Sequence, residues 1–209
     1  MTRTLRHSAL AVGTALACAL SWYAGPASTA VTRLSLLTAW LCLLLLCAAL
    51  AIGPLNVRRR GQPLLNHPLR RDLGIWSALT GLGHLAAATG VVMTPDYFRA
   101  FITGPPDDPL PGWAGWIGTL FIIVGYVIGI LLLRLLAVSS DRALRRLGKE
   151  RWKRIQRSAY VVFGLTVTHG LVFQLIEQRL GLWLLVLLAA TATVIGLQLA
   201  ARRRIGAQS

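Results

Sequence analysis

Six long apolar stretches follow one another along the chain, separated by shorter polar segments. Each is roughly 18 to 25 residues long, the length at which an α-helix crosses the ~30 Å hydrocarbon core of a bilayer. The stretches cover about 8–25, 32–55, 72–93, 113–138, 158–177 and 181–200, and Pro54, Pro95 and Pro111 punctuate their ends. The pattern predicts an all-α polytopic membrane bundle of six transmembrane helices, formed by residues 1–209 as a single domain.

Basic residues alternate between rich and poor segments of the sequence that lie between these stretches. The rich segments contain Arg3 and Arg6, then Arg58, Arg59, Arg60, Arg70 and Arg71, then the Lys and Arg residues of 139–157, then Arg202, Arg203 and Arg204. The poor segments contain only Arg33, Arg99 or Arg179. Because Lys and Arg resist translocation, the rich segments are expected to stay in the cytoplasm. This predicts cytoplasmic N- and C-termini in a multi-pass protein of a bacterial inner (plasma) membrane.

The first apolar stretch also has features of a secretory signal peptide. Arg3 and Arg6 precede it, and small residues at 24–27 follow it. A cleaved signal would leave five spans. The alternation of basic segments is consistent with six spans and a cytoplasmic N-terminus, so a retained first helix is the favoured interpretation.

Composition narrows the class of protein further. The chain is 55% hydrophobic and 14% charged, which is too apolar for an ordinary soluble domain. Its net charge of +15 comes from short clusters that lack interleaved aromatic platforms, so membrane lipid is an expected partner and nucleic acid is not. Cys18, Cys42 and Cys47 lie inside apolar runs without metal-ligand spacing, and we expect them to be inert thiols.

Two of the four histidines, His84 and His169, lie inside apolar stretches, where a polar ring is costly and marks a candidate functional site. The third and fifth stretches are separated by one other span, so they run in the same direction. His84 lies 14 residues beyond Arg70 and His169 lies 15 beyond Arg154. At 1.5 Å per residue, both rings are about 21 Å from the inner edge, in the outer half of the membrane. This geometry predicts two axial ligands for one haem iron.

Two interpretations of the histidine pair stay open at this point. The first is a haem-bearing electron-transfer protein, and the second is a non-redox bundle, such as a small transporter or an assembly protein, with the histidines as proton or packing groups. Neighbouring glycines fit both, because small residues leave room for a flat macrocycle and also form helix contacts. These glycines are Gly81, Gly83, Gly164 and Gly170. The remaining histidines, His7 and His67, are expected to be solvated.

Two motifs resemble a known family. The string Arg70-Arg71-Asp72-Leu73-Gly74-Ile75-Trp76, followed by His84, is similar to the third helix of ferric-reductase-like transmembrane domains. Residues 147–157, followed by Tyr160 and His169, resemble that family's loop into helix five. The likeness points within the family to the haem-binding membrane subunit of the bacterial periplasmic methionine-sulfoxide reductase system. It implies that His84 and His169 ligate haem b.

The resemblance also implies one haem rather than two. Relatives usually carry a histidine thirteen residues before the fifth-helix ligand, and this chain has Gln156 there. Full-length reductases of the superfamily add flavin and nicotinamide domains, for which the tail of about ten residues after Leu199 is too short. Electrons are therefore expected from the quinone pool or from a separate flavin reductase, which makes quinone or FMN the candidate second cofactor.

The candidate residues for binding the donor or a flavin are Arg70, Arg71 and Gln156. Arginines at the inner edge of a membrane also commonly do no more than extend their charged ends into the interface. The acceptor is expected to be a periplasmic redox partner protein near the 94–112 loop. The chain is thus predicted to be the electron-transfer subunit of an oxidoreductase, with haem iron as its redox centre and no catalytic residue of its own.

Overall fold

The computed structural model describes residues 2–23, 29–60, 68–99, 101 and 112–206. Throughout these ranges the chain is helical apart from short turns, which confirms the all-α prediction. The helices are α1 Arg3–Tyr23, α2 Ala30–Arg60, α3 Pro68–Val92, α4 Pro95–Phe98, α5 Gly112–Ala137, α6 Asp141–Leu147, α7 Lys149–Ile176 and α8 Leu182–Gly206.

Five of the described helices are long and apolar enough to cross a membrane: α2, α3, α5, α7 and α8. The sixth predicted span corresponds to α1, which has 21 residues but is not among the apolar candidates. Arg3, Arg6 and His7 occupy its first two turns and lower its mean hydropathy. The protein is therefore a multi-pass helical membrane protein with five candidate spans, and α1 is discussed as a sixth below.

Several helices extend beyond the apolar stretches that predicted them. The segment 139–157 was expected to be a loop, but it contains α6 and the first residues of α7. Ser140 caps α6 by accepting a hydrogen bond from the N–H of Ala143 at 3.0 Å, and Gly148, at φ +72°, turns the chain into α7. Hydropathy marks the part of a helix that contacts lipid and does not mark where the helix ends, since Lys and Arg are good helix formers.

Pro54 was expected to end the second span, and this expectation is wrong, because α2 continues through it to Arg60. Proline has no N–H, so Pro54 cannot donate to the carbonyl of Leu50, its i−4 partner. The side chain of Gln198 on α8 donates to that carbonyl instead, with Nε2 3.1 Å from the oxygen. A side chain from a neighbouring helix thus replaces the missing backbone bond, which lets α2 stay helical.

Substituting Gln198 by leucine is expected to destabilise the protein by about 1–2 kcal/mol, because the carbonyl of Leu50 then loses its donor inside the bundle. In a Pro54→Ala background the backbone N–H of residue 54 satisfies that carbonyl, so the same substitution is expected to cost much less. Unfolding of the four proteins of this double-mutant cycle in mild detergent measures the coupling. Equal costs in both backgrounds would contradict the assignment.

The starts of α1 and α3, the ends of α2 and α8, and α6 lie together at one end of the bundle, which we call the basic end. Three polar contacts tie these helices together: Arg6 with Asp72, Arg71 with Asp141, and Arg204 with the carbonyl of Arg58. Asp72 is only 1% exposed and also faces Arg3 and His7. Most of the clustered cations predicted to be cytoplasmic are therefore on helix ends that the fold brings to the same side.

The long helix α2 packs against α1, α3, α7 and α8, and α5 lies between α3 and α7. Reciprocal contacts between a glycine of one helix and a leucine of the other join α3 to α5. A Cβ atom added to Gly81 would lie 2.5 Å from a methyl carbon of Leu132, and one added to Gly129 would lie 2.5 Å from a methyl carbon of Leu85. Each glycine thus accepts a leucine of the other helix, which brings the two backbones close together.

Candidate functional site

The imidazole rings of His84 on α3 and His169 on α7 face each other within the bundle. Their ring centroids are 6.3 Å apart and the ring planes are nearly perpendicular, at 79°. The two residues lie 85 positions apart in the sequence, so the fold alone brings them together.

Each ring is held through Nδ1 by a backbone carbonyl of another helix. Nδ1 of His84 is 2.8 Å from the carbonyl oxygen of Ser35 on α2, and Nδ1 of His169 is 2.9 Å from that of Phe121 on α5. A carbonyl oxygen only accepts hydrogen bonds, so each Nδ1 carries the proton and each Nε2 keeps its lone pair. The hydroxyl of Ser35 is also within 3.2 Å of Nδ1 of His84. Histidines that bind metals are oriented by this kind of bond on the other ring nitrogen.

Gly125 makes room for the ring of His169. A Cβ atom placed on Gly125 would lie 3.1 Å from Cε1 of His169. Gly125 follows Phe121 by four residues, so both are on the same face of α5. A side chain at position 125 would therefore obstruct the approach of the ring to the carbonyl of Phe121. Sequence reasoning missed Gly125, because a glycine in an apolar helix gives no sign of which side chain lies over it.

Replacing Gly125 by valine is expected to displace the ring of His169 from the carbonyl of Phe121, whereas alanine requires a shift of only a few tenths of an ångström. Gly196→Val is the matched control, since a Cβ atom there meets nothing within 4 Å. The measurement is the nitrogen chemical shifts of the His169 ring, which report the proton on Nδ1. An unchanged ring in Gly125→Val would refute the steric role of Gly125.

The two imidazoles alone would hold a metal only if a cofactor supplied its remaining ligands. Among the residues that the structure describes, no group of three or more His, Cys, Asp or Glu side chains is placed to hold a bare metal ion. An imidazole nitrogen lies about 2.0 Å from a metal that it binds and its ring centroid about 1.1 Å further back, so two axial imidazoles have centroids roughly 6 Å apart. The observed 6.3 Å is close to this separation. His84 and His169 are therefore the residues that would hold a porphyrin iron, whose remaining ligands the macrocycle would supply.

Aromatic rings continue from His169 towards the end of the bundle opposite the basic end. Successive centroid distances are 4.9 Å from His169 to Phe173, 6.3 Å from Phe173 to Phe101 and 4.5 Å from Phe101 to Tyr97. The hydroxyl of Tyr97 donates to Glu177 at 3.1 Å, and burial, with the nearby carboxylate, raises the pKa of Tyr97. Tyr97 therefore stays a neutral donor, and Phe173 packs against this side of His169.

The four glycines near the histidines have different surroundings. A Cβ atom added to Gly81 would clash with Leu132 and with the sulfur of Cys42, so Gly81 is a helix-packing position. A Cβ atom added to Gly83 or Gly170 would meet only ordinary contacts, with Thr38 at 4.0 Å and Leu187 at 3.9 Å, and one added to Gly164 would meet nothing within 4 Å.

The three candidate donor-site residues do not converge on one point. Arg71 binds Asp141 and donates through Nε to the carbonyl of Ser139 at 2.6 Å. Arg70 is directed towards α2, where its Nη1 is 3.7 Å from a Cβ atom placed on Gly53. Gln156 is on α7, thirteen residues before His169, and has no hydrogen bond to either arginine within the described ranges.

His7 was expected to be solvated, and the structure places it against α3 instead. Its Nδ1 accepts a hydrogen bond from Nε1 of Trp76 at 3.0 Å, and its Nε2 is 3.2 Å from Asp72. The other solvent-exposed candidate, His67, lies outside the described residues.

A bundle of five candidate spans, with two histidines facing each other between them, defines a helical membrane protein with a bis-imidazole site. The sequence model of the family described as "Ferric reductase like transmembrane component" matches residues 29–167. This is more than half of the chain, so the chain belongs to that family. The match contains His84 and ends two residues before His169.

A protein of Treponema pallidum (strain Nichols), described only as uncharacterized, is 36% identical to this chain over 104 residues. The match covers 48% of this chain and 25% of the length of that relative. No solved structure shows a significant match to the chain.

Proposed function

We propose that this protein transfers electrons across a bacterial inner membrane through one haem b held between His84 and His169. The observation that carries the proposal is the pair of imidazoles 6.3 Å apart, each with Nδ1 fixed by a carbonyl. When bound, the haem iron supplies reversible one-electron transfer. His84 and His169 coordinate it through Nε2, and the carbonyls of Ser35 and Phe121 keep both rings oriented. Membership of a ferric-reductase-like transmembrane family supports membrane electron transfer.

We further propose a six-span arrangement in which α1 is retained and both termini are cytoplasmic. The ion pair between Arg6 and Asp72 supports this, because it joins the start of α1 to the start of α3. Arg204 at the end of α8 binds the backbone at the end of α2, on the same side. The positive-inside rule then makes the basic end cytoplasmic. Residues 1–209 form one domain in this arrangement.

Electrons enter at the basic end and leave at the opposite end in this proposal. The donor is a quinol or a flavin, supplied by the quinone pool or a flavin reductase. Arg70, Arg71 and Gln156 were predicted to bind it, and because they do not converge on one point, we propose them as separate contacts at the basic end and not as one shared pocket. Thirteen residues of α7 separate Gln156 from His169, about 20 Å along the helix. The acceptor is a periplasmic redox partner that docks near the segment 94–112, of which residues 100 and 102–111 lie outside the described residues. The protein acts as the electron-transfer subunit of an oxidoreductase, of which a methionine-sulfoxide reductase system is the example to test first.

An absorption spectrum of the purified protein tests the haem. A Soret band, with sharp low-spin bands on reduction, is expected at one haem per chain. A featureless visible spectrum after expression with sufficient haem would reject the proposal and favour a non-redox bundle, in which the histidines serve packing or proton transfer. Anaerobic reduction of the reconstituted protein, by a quinol analogue in one sample and a flavin reductase in another, then identifies the donor.

A further inference from the structure

At the basic end, a cavity of about 480 Å³ opens between α1, α3 and the turn from α5 to α6. Four arginines line it, namely Arg3, Arg71, Arg142 and Arg145, together with Asp141. Arg3, Arg71 and Asp141 also line an adjoining cavity of about 300 Å³. Guanidinium groups in such a cluster are suited to phosphate, because each presents several N–H donors in a planar fork.

The charge in this cavity is only partly balanced by the protein. Arg71 binds Asp141, and this hydrogen bond, aided by the charges of Arg3 and Arg145, lowers the pKa of Asp141, so the carboxylate stays ionised. Arg3 is 3.8 Å from Asp72, which has a closer partner in Arg6. Over the described part of the chain, Arg142 and Arg145 form no ion pair with a carboxylate. The cavity therefore keeps an excess of positive charge.

One wall of the cavity is apolar. Ile75 and Leu136 line it, and both are in helices with the length and composition of membrane spans. Ile75 is one turn beyond Arg71 on α3, so the apolar wall directly adjoins the arginines. A ligand that matches both parts has an anionic head and a hydrocarbon body. Free phosphate would use the arginines but gain nothing from the apolar wall.

We propose that this cavity binds the phosphate of an anionic phospholipid, with the headgroup among Arg3, Arg71, Arg142 and Arg145 and the acyl chains along Ile75 and Leu136. Basic pockets at the cytoplasmic ends of membrane helices bind acidic headgroups by this combination of charge and apolar contact. The lipid would link α1, α3 and α6 in addition to the contacts that Asp72, Arg71 and Trp76 make between them. This site does not depend on the haem.

The test uses the full-length protein in a neutral detergent. Native mass spectrometry with added phosphatidylglycerol is expected to show a retained lipid, and phosphatidylcholine is expected to bind at least about tenfold more weakly. Arg142→Gln/Arg145→Gln is expected to weaken phosphatidylglycerol binding by a similar factor. The matched control is Arg151→Gln/Arg154→Gln, which removes the same charge from exposed positions outside the cavity and is expected to bind normally.

Both double variants change exposed side chains, so folding is expected to be unaffected, which thermal unfolding without lipid checks. Equal losses in the two double variants would overturn the proposal, because the effect would then reflect overall surface charge. Binding of inorganic phosphate or FMN as tight as that of phosphatidylglycerol would also overturn it, since the apolar wall would then have no role. No preference for phosphatidylglycerol over phosphatidylcholine would be equally decisive against it.

Discussion

Replacing either His84 or His169 by alanine is expected to abolish low-spin haem in the purified protein. Each substitution removes one of the two proposed axial nitrogens, and the bundle offers no substitute among the described residues, because no third metal-ligating side chain joins the pair. The Soret absorbance per chain is expected to fall to a small fraction of the wild-type value, and any haem that remains is expected to be high-spin. Spectra of the oxidised and reduced forms measure both effects.

Two substitutions control this experiment. His7→Ala removes a histidine that contacts Asp72 and Trp76 at the basic end, so the haem spectrum is expected to stay low-spin. Gln156→Ala is expected to leave the haem in place, because the proposed ligand on the same helix, His169, is more than three helical turns away. If His84→Ala or His169→Ala retains the wild-type spectrum, the ligand assignment is wrong.

Substituting Arg6 by alanine is expected to destabilise the protein by about 3 kcal/mol, because it removes the closest cation from a buried carboxylate. Asp72 is 1% exposed and Arg6 lies 2.7 Å from it, whereas Arg3 is 3.8 Å away. His7 and Arg3 still face Asp72 in the variant, which keeps the cost near the lower end for a broken buried pair. Unfolding in mild detergent measures the free energy, with Arg59→Ala, an exposed cation at the same end, as the control.

The double variant Arg6→Met/Asp72→Asn separates a charge effect from a loss of packing. It removes both charges and keeps side chains of similar volume, so most of the lost stability is expected to return. If the double variant is as unstable as Arg6→Ala, the pair contributes through packing and the electrostatic account fails.

The histidine pair could be predicted from the sequence, because the depth of a residue in a membrane can be counted in residues from the charged inner edge. Charged residues mark the inner edge, and a helix rises by a fixed distance per residue, so His84 and His169 could be compared without a structure. Both residues are on long helices that the bilayer makes nearly obligatory. The structure adds that their rings face each other, which the rotation of each helix about its axis decides and which counting residues cannot show.

The groups that position these rings could not be predicted from the sequence in the same way. Two are backbone carbonyls, of Ser35 and Phe121, and any residue has one, so no residue type signals their role. Gln198 is a similar case, because the need for its amide arises from a missing N–H at Pro54, on another helix and far away in the sequence. Asp72 was visible as part of a motif, but its partners on α1 depend on how that helix packs.

The interlocked contacts of α5 affect how the site would respond to a change of charge. Leu85, the neighbour of His84, rests on Gly129, and the ring of His169 lies over Gly125 of the same helix. Both rings thus depend on α5 for their placement, His84 through its neighbour Leu85 and His169 by direct contact. A haem at this position would gain or lose an electron with little movement of its ligands. The reorganisation energy would then be small, which favours rapid transfer even when donor and acceptor differ little in potential.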